Sequence, residues 1–136
     1  MSDNRIFKFR GKNENGDWVF GGVTTDKYVI IEEYTTRFVP VKRKTVGQFT
    51  GLYDIDGNEI FEDDICTVTE TFINNNGEKR TETYIMVVRY KNYKFEFYSQ
   101  TTNPRDIQYI NDFCTVKVIG NIHDNHDLLK EGKIDD

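Results

Sequence analysis

Apolar and polar residues alternate along most of this chain, in short runs that are separated by turn-forming residues. Two of these runs, residues 5–10 and Trp18–Val23, flank the turn cluster Asn13–Asp17. Apolar positions with a period of two are typical of a half-buried β-strand, and two such runs around an Asn-Gly pair predict a β-hairpin. We therefore expect the chain to begin with a hairpin.

Two further runs predict strands at residues 28–31 and 37–41. The second run contains Pro40, and a proline has no N–H group with which to bond a neighbouring strand. We therefore expect residues 37–41 to form an edge strand or an irregular strand.

The clearest alternation begins at Ile65, where Thr67, Thr69 and Thr71 point to one side, as on a solvated face of a sheet. The longest predicted strand follows at residues 81–90, and apolar residues on both of its faces indicate that its middle is covered on both sides. The remaining predicted elements are strands at 94–99 and 114–119, a turn near Asn92 and a loop at 99–106.

Only the C-terminal tail carries a helix signal. Asn125 has the side chain of a helix N-cap, Asp127 favours the positive end of the helix dipole, and Gly132 would end the helix. Leu128 and Leu129 are placed to pack back on the sheet. The whole pattern, about seven to nine short strands and one short terminal helical turn, predicts an all-β protein.

Composition supports the β-rich prediction and limits the function. Aromatic residues make up 14% of the 136 residues and alanine is absent, which favours pleated strands over extended helix. The length suits a single domain. The net charge of −5, from 18 basic and 23 acidic residues, argues against a protein whose whole surface binds nucleic acid, but it allows a local basic patch.

The cysteines and the apolar runs indicate where the protein is found. Cys66 and Cys114 lie in predicted strands and form no CxxC pair, so the sequence supports neither a zinc ribbon nor a thioredoxin-type site. No apolar run approaches the roughly 18 residues of a membrane span, and the N-terminus has no apolar signal region. We therefore expect a cytoplasmic protein with reduced thiols.

Three segments carry the most distinctive patterns of the chain. They are FKFRGKNENGDWVFGG near the N-terminus, VGQFTGLYDIDGNEIFEDDI in the middle and VIGNIHDNHDLL near the C-terminus. In this order they resemble the YopX family, which consists of small proteins encoded by bacteriophages and prophages. The middle segment is the most specific, because its turn, its Gly-Asn-Glu-Ile and its acidic bend follow in fixed succession.

The resemblance implies an SH3-type small barrel and a phage origin, hence the cytoplasm of a bacterial host cell, and it brings no established activity. We expect a single domain of residues 1–136, with an N-terminal β-hairpin extension at 1–45 and the barrel core and terminal helical turn at 46–130. The family commonly has Glu-Gly-Asp where this chain has Glu62-Asp63-Asp64. Since aspartate tolerates a positive φ, we expect the bend to be retained.

The turn Asp54–Asn58 resembles the start of a calcium-binding loop. However, Glu59 stands where such a loop needs its sharp-turn glycine, and Ile65 stands where it needs a bidentate glutamate. A plain β-turn is therefore the better interpretation.

Two other groups of side chains have metal-binding chemistry. His123 and His126, beside Asp124 and Asp127, lack a third ligand at convincing spacing. Glu62, Asp63 and Asp64 are adjacent carboxylates in a bend, whereas a Mg²⁺ site needs carboxylates that converge from different elements. We predict no metal site, no cofactor and no catalytic residue. A divalent-metal-dependent enzyme that uses these two groups is the least favoured alternative.

Residues 89–98 interleave basic and aromatic side chains. One interpretation is a core hairpin in which Tyr93, Phe95 and Phe97 point inward. The alternative is a platform for single-stranded nucleic acid, where rings stack on bases and cations bind phosphates. The candidate residues of this nucleic-acid or partner surface are Arg89, Lys91, Tyr93, Lys94 and Tyr98. The basic residues that would extend it, if the fold brings them there, are Lys42, Arg43, Lys44 and Arg105.

The sequence favours a non-enzymatic binding or assembly module over a nucleic-acid-binding protein. Small barrels leave strand edges, which either pair with another chain or are blunted. The N-terminal hairpin and the Pro40 strand are the edges that we expect to contact a neighbouring copy, so we predict a homo-oligomer. A phage or host protein is the other candidate partner, and we expect no membrane partner.

Overall fold

The computed structural model describes residues 7–91, 93–99, 102–107 and 114–131. The chain divides into two compact units, Met1–Leu52 and Tyr53–Asp136. Most of the regular structure in both units is β-strand, which confirms the all-β prediction. The predicted division of one domain into 1–45 and 46–130 stays a prediction.

The described part of the first unit is an antiparallel sheet with one short 3-10 turn. Its strands are β1 (Phe9–Lys12), β2 (Trp18–Val23), β3 (Val29–Glu32), β4 (Phe38–Pro40) and β5 (Gly47–Tyr53), and the 3-10 turn is Arg43–Thr45. The strand order is β4-β3-β2-β1-β5. The Pro40 strand therefore lies at the edge of the sheet, as predicted.

The turn between β1 and β2 shows why the N-terminal hairpin forms. The side-chain oxygen of Asn13 accepts hydrogen bonds from the backbone N–H groups of Asn15 and Asp17, each at 2.9 Å. Gly16 has a φ of 84°, which glycine adopts without a steric cost. The predicted hairpin is thus confirmed, although its first residues, 5 and 6, lie outside the described part of the chain. The core of this unit comprises Val19, Ile30 and Val41, packed by Val23, Val39 and Val46.

The described part of the second unit contains a larger antiparallel sheet and a short helix. Its elements are β6 (Glu59–Phe61), β7 (Asp64–Ile73), β8 (Lys79–Lys91), β9 (Lys94–Tyr98), β10 (Arg105–Asp106), β11 (Cys114–Asn121) and α1 (Asp127–Glu131). The strand order of this larger sheet is β10-β9-β8-β7-β11.

The helix α1 lies where the sequence predicted it. Leu129 is buried in a cluster with Ile65 and Val87, and Leu128 packs against this cluster, as predicted. The side-chain oxygen of Asn125 accepts a hydrogen bond from the backbone N–H of Asn121, so it closes the turn that precedes the helix. The predicted stop at residue 132 lies outside the described residues.

The SH3-type barrel that the resemblance implied is not confirmed, because within the described residues both sheets are open. The edge of β11 shows a physical reason. The carboxylate of Asp54 accepts a hydrogen bond from the N–H of Val118, and the N–H of Ile55 donates to the carbonyl of Val116. A turn therefore occupies the edge positions that a further strand would use.

Among the described residues, no helix has the length and the apolarity to cross a membrane.

Candidate functional site

The hairpin of β8 and β9 holds the surface that the sequence predicted. Its register places Lys91 opposite Lys94, Arg89 opposite Glu96 and Val87 opposite Tyr98, so four of the five candidates share one face. The fifth, Tyr93, is 94% exposed. Its φ of 66° places it in the turn before β9. The inward orientation predicted for Tyr93 is therefore wrong, because a turn residue takes no part in the alternation of the strand.

The cations of this face are paired with nearby groups. Arg89 Nη1 lies 2.8 Å from Asp63 Oδ1, and Lys94 Nζ lies 3.1 Å from Asp106 Oδ2. Lys91 Nζ stands 3.7 Å from the centre of the Tyr98 ring. A phosphate that approached this face would therefore compete with carboxylates for two of its three cations.

Arg105, which was a candidate to extend that patch, is also paired. Its guanidinium donates two hydrogen bonds to the carboxylate of Glu70, and the one from Nη2 is 3.0 Å long. Hydrogen bonding with Arg105 is the main reason why the pKa of Glu70 lies below its usual value. Glu70, a charged residue on the same face of β7 as Cys66 and Val68, thus has a partner 35 positions further along the chain.

The acidic bend and the histidine of the tail meet in the second unit. Asp63 has a φ of 74°, so aspartate takes the left-handed conformation here, as predicted. Its two carboxylate oxygens lie 2.8 Å from Arg89 Nη1 and 3.3 Å from His123 Nε2. The neighbouring Asp64 is 1% exposed and accepts a hydrogen bond from the N–H of Phe61. These carboxylates therefore tie the bend to β6, β8 and the tail.

The described residues contain no group of three or more histidine, cysteine or acidic side chains that could hold a metal ion. The turn that resembles a calcium loop has a different role. The carboxylate of Asp54 faces N–H groups of Asp56, Asn58 and Val118. A carboxylate surrounded by N–H donors serves as a hydrogen-bond acceptor for the backbone.

We predict that Asp63→Asn lowers the free energy of unfolding by about 1–2 kcal/mol, because it removes the charge that faces the half-buried Arg89. Asparagine also tolerates the left-handed backbone, so this variant removes the ion pair without adding backbone strain at residue 63. Urea denaturation measures the loss. The exposed Glu78→Gln, which removes an ion pair with Arg80 at 3.7 Å, is the control. Equal losses in the two variants would contradict the prediction.

The first unit contains an open cleft of about 320 Å³ beside β2 and the turn after β3. Its lining residues are Trp18, Val19, Phe20, Glu32, Glu33, Tyr34 and Thr35. Both acidic side chains have cationic partners, because Glu33 lies 3.3 Å from Lys8 and Glu32 lies 3.0 Å from Arg37. Hydrogen bonds from Thr35 and then from Arg37 lower the pKa of Glu32. With both carboxylates paired, the cleft presents mainly apolar surface, which includes the rings of Trp18, Phe20 and Tyr34.

The same unit contains a second surface, which was not identified from the sequence. Basic and aromatic side chains follow one another around the 3-10 turn, and we call them the basic-aromatic surface: Lys12, Trp18, Tyr28, Lys42, Arg43 and Lys44. In the sequence, the cations at 42–44 are seen only as an extension of the 89–98 surface. The sequence does not reveal the backbone pairing that brings residue 42 beside residue 12.

The comparison with protein families gives one match over most of the chain. The family model described as YopX protein matches residues 1–130. The chain belongs to the YopX family. The resemblance seen in the three sequence segments is thereby confirmed.

A solved structure similar to this YopX family member is the crystal structure of protein yopX from Bacillus subtilis. It is 17% identical, with a TM-score of 0.47, and the match covers 93% of this chain and 99% of that chain. No curated protein matches the sequence. Membership of the YopX family thus names no ligand and no reaction.

Proposed function

We propose that this protein is a non-enzymatic binding or assembly module of phage or prophage origin, which acts in the cytoplasm of the bacterial host. The observation that carries the proposal is the exposure of aromatic side chains at the β3–β4 hairpin, where Tyr34 is 96% and Phe38 is 70% exposed. Large aromatic side chains that remain in water are typical of interaction surfaces. The family resemblance supports the phage origin.

The acidic side chains also support a role without catalysis. Three of the carboxylates that the sequence offered for metal chemistry, those of Asp54, Asp63 and Asp64, form hydrogen bonds or ion pairs with groups of the protein itself. A catalytic carboxylate must instead reach a proton or a metal on the substrate side. These three residues are therefore better explained by stability than by a reaction.

We further propose that the partner at the β3–β4 hairpin is a second copy of this chain. The bonds from Glu32 N–H to the Arg37 carbonyl and from Val41 N–H to the Tyr28 carbonyl place alternate residues of β4 toward β3. Pro40 lies between them, on the outer side, and has no N–H to offer a further strand. Copies would therefore associate through the side chains of Tyr34 and Phe38 rather than by extending the sheet.

The double change Tyr34→Ser and Phe38→Ser is expected to convert an oligomer into a single chain of 16.0 kDa. Light scattering after size-exclusion chromatography measures the mass. The control is Tyr93→Ser, because Tyr93 is a turn tyrosine with nearly the same exposure, 94%, and also a positive φ. The control should keep the wild-type mass. A wild-type protein that is monomeric at every concentration would overturn the self-association.

A second candidate function is single-stranded nucleic-acid binding through residues 89–98. It is supported by the common face of Arg89, Lys91, Lys94 and Tyr98. The carboxylates of Asp63 and Asp106, which hold two of these cations, weigh against it. We therefore rank it below the assembly module.

A further inference from the structure

Three consecutive cations of the first unit have no carboxylate partner among the residues that the structure describes. Lys42, Arg43 and Lys44 are exposed, and in the described part of the chain no acidic side chain lies within ion-pair distance of them. Arg43 acts on Asp26 only through space, as the smallest cause of the lowered pKa of that carboxyl, after the hydrogen bonds from Thr24 and Tyr28. These cations differ in this respect from Arg89, Lys94 and Arg105, each of which has a carboxylate partner.

The fold connects these cations to two aromatic rings. The N–H of Lys42 donates to the carbonyl of Lys12 at 2.8 Å, which brings the 3-10 turn beside the end of β1. From there, Lys12 Nζ reaches to 5.4 Å from the centre of the Trp18 ring. On the other side, the guanidinium of Arg43 lies 5.6 Å from the centre of the Tyr28 ring. One backbone hydrogen bond and two cation–ring contacts thus link the basic-aromatic surface from Trp18 to Tyr28.

Charge is distributed unequally between the two units. The sequence of the first unit has nine basic and six acidic residues, a net charge of +3, whereas that of the second has nine basic and seventeen acidic residues, a net charge of −8. The net charge of the whole chain, −5, therefore conceals a positive unit. A polyanion would be attracted to the first unit and repelled by the second.

We propose that the basic-aromatic surface binds single-stranded nucleic acid. The ammonium and guanidinium groups of residues 42–44 would bind phosphates, and the rings of Trp18 and Tyr28 would stack on bases. Stacking on a protein ring requires bases that are not paired in a duplex, which favours a single strand. An acidic protein chain would satisfy the cations but would offer the two rings no base on which to stack. The proposal is independent of self-association at the β3–β4 hairpin.

The test uses the full chain and a labelled oligothymidylate of roughly 15 nucleotides, a length that suits one small binding domain. Fluorescence anisotropy gives the dissociation constant at several salt concentrations. Trp18 is the single tryptophan of the chain, so quenching of its fluorescence reports contact at this surface. We expect binding that quenches Trp18 and weakens steeply as the salt concentration rises.

The variant that carries Lys42→Gln, Arg43→Gln and Lys44→Gln should bind at least about tenfold more weakly, and its salt slope should be smaller by about 2, since each single-strand phosphate contact contributes roughly 0.7. Tyr28→Ala should weaken binding by about tenfold through lost stacking. The control, Lys91→Gln with Lys94→Gln, removes cations from the 89–98 face and should bind like the wild type. All of these positions are exposed, so the fold should be kept.

Three results would overturn the proposal. One is the absence of an anisotropy change at about 50 mM salt, where electrostatic binding is strong. Another is an equal loss of binding in the control variant, which would place the site on the 89–98 face. The third is equal affinity for polyglutamate of similar charge, which would indicate an acidic protein partner. None of these results bears on the oligomeric state, so a failure here is distinguishable from a failure of the assembly proposal.

Discussion

Replacing Asp54 with alanine is expected to lower the free energy of unfolding by about 3 kcal/mol. The residue is 5% exposed. Its carboxylate accepts hydrogen bonds from the backbone N–H groups of Asp56, Asn58 and Val118, at 2.9, 2.8 and 2.9 Å. Without it, these three part-buried N–H groups lose their charged acceptor, and a loss of roughly 1 kcal/mol for each hydrogen bond gives the expected total. Urea denaturation of the full chain measures the loss.

The control for Asp54→Ala lies in the same turn. The side chain of Asp56 is 54% exposed and, among the described residues, its carboxylate pairs only with Lys117, at 3.8 Å, so Asp56→Ala should cost less than about 0.5 kcal/mol. The backbone N–H of Asp56, which bonds Asp54, is retained in that variant. Equal losses of stability in the two variants would contradict the prediction. They would mean that the hydrogen bond between Asp54 and Val118 of β11 contributes little.

The contribution of Asp54 should also depend on pH. Burial raises the pKa of this carboxyl, but the hydrogen bonds from Val118, Asn58 and Asp56 outweigh burial and hold its pKa below the ordinary value of 3.8. Its stabilising effect is therefore present above pH 3.8 and is lost as the pH falls through the lower pKa of the folded state. The difference in stability between the wild type and Asp54→Ala should shrink at acid pH, as denaturation at a series of pH values would show.

Features that depend on a few consecutive residues could be predicted from the sequence. Pro40 marked an edge strand because a missing N–H is a property of one residue. Asp63 was expected to adopt a positive φ because its short side chain tolerates that backbone, and Leu128 and Leu129 were expected to pack on the sheet. In each case the conformation is decided mainly by local energies, so the identity of the residue is sufficient to predict it.

Features that depend on partners distant in sequence could not be predicted. Arg89 and Arg105 were read as candidate cations of a binding surface, yet their carboxylates, Asp63 and Glu70, lie 26 and 35 positions away. The basic-aromatic surface was missed for the same reason, since it depends on the bond between Lys42 and Lys12. Strand order decides these pairings, and alternation within a strand carries no information about which strand lies beside it.

Replacing Gly21 with alanine is expected to destabilise the first unit by at least about 3 kcal/mol. Gly21 lies opposite Glu32 where β2 pairs with β3. A Cβ atom there would overlap the carbonyl oxygen of Ile31 and lie 2.9 Å from its carbonyl carbon and 3.0 Å from the N atom of Glu33. These are backbone atoms, so relief requires the two strands to separate. Separation would also move apart Phe20 and Glu33, which line the open cleft beside β2.

The adjacent glycine provides the control for Gly21→Ala. A Cβ atom on Gly22 would meet nothing within 4 Å, so Gly22→Ala should change the stability by less than about 0.5 kcal/mol. Trp18 lies on the same strand and is the single tryptophan, so its fluorescence follows the unfolding of the first unit. Gly21→Ala should shift this transition to lower urea concentration, whereas Gly22→Ala should leave it in place. Coincident transitions in the two variants would mean that β2 and β3 are not held as closely as their register implies.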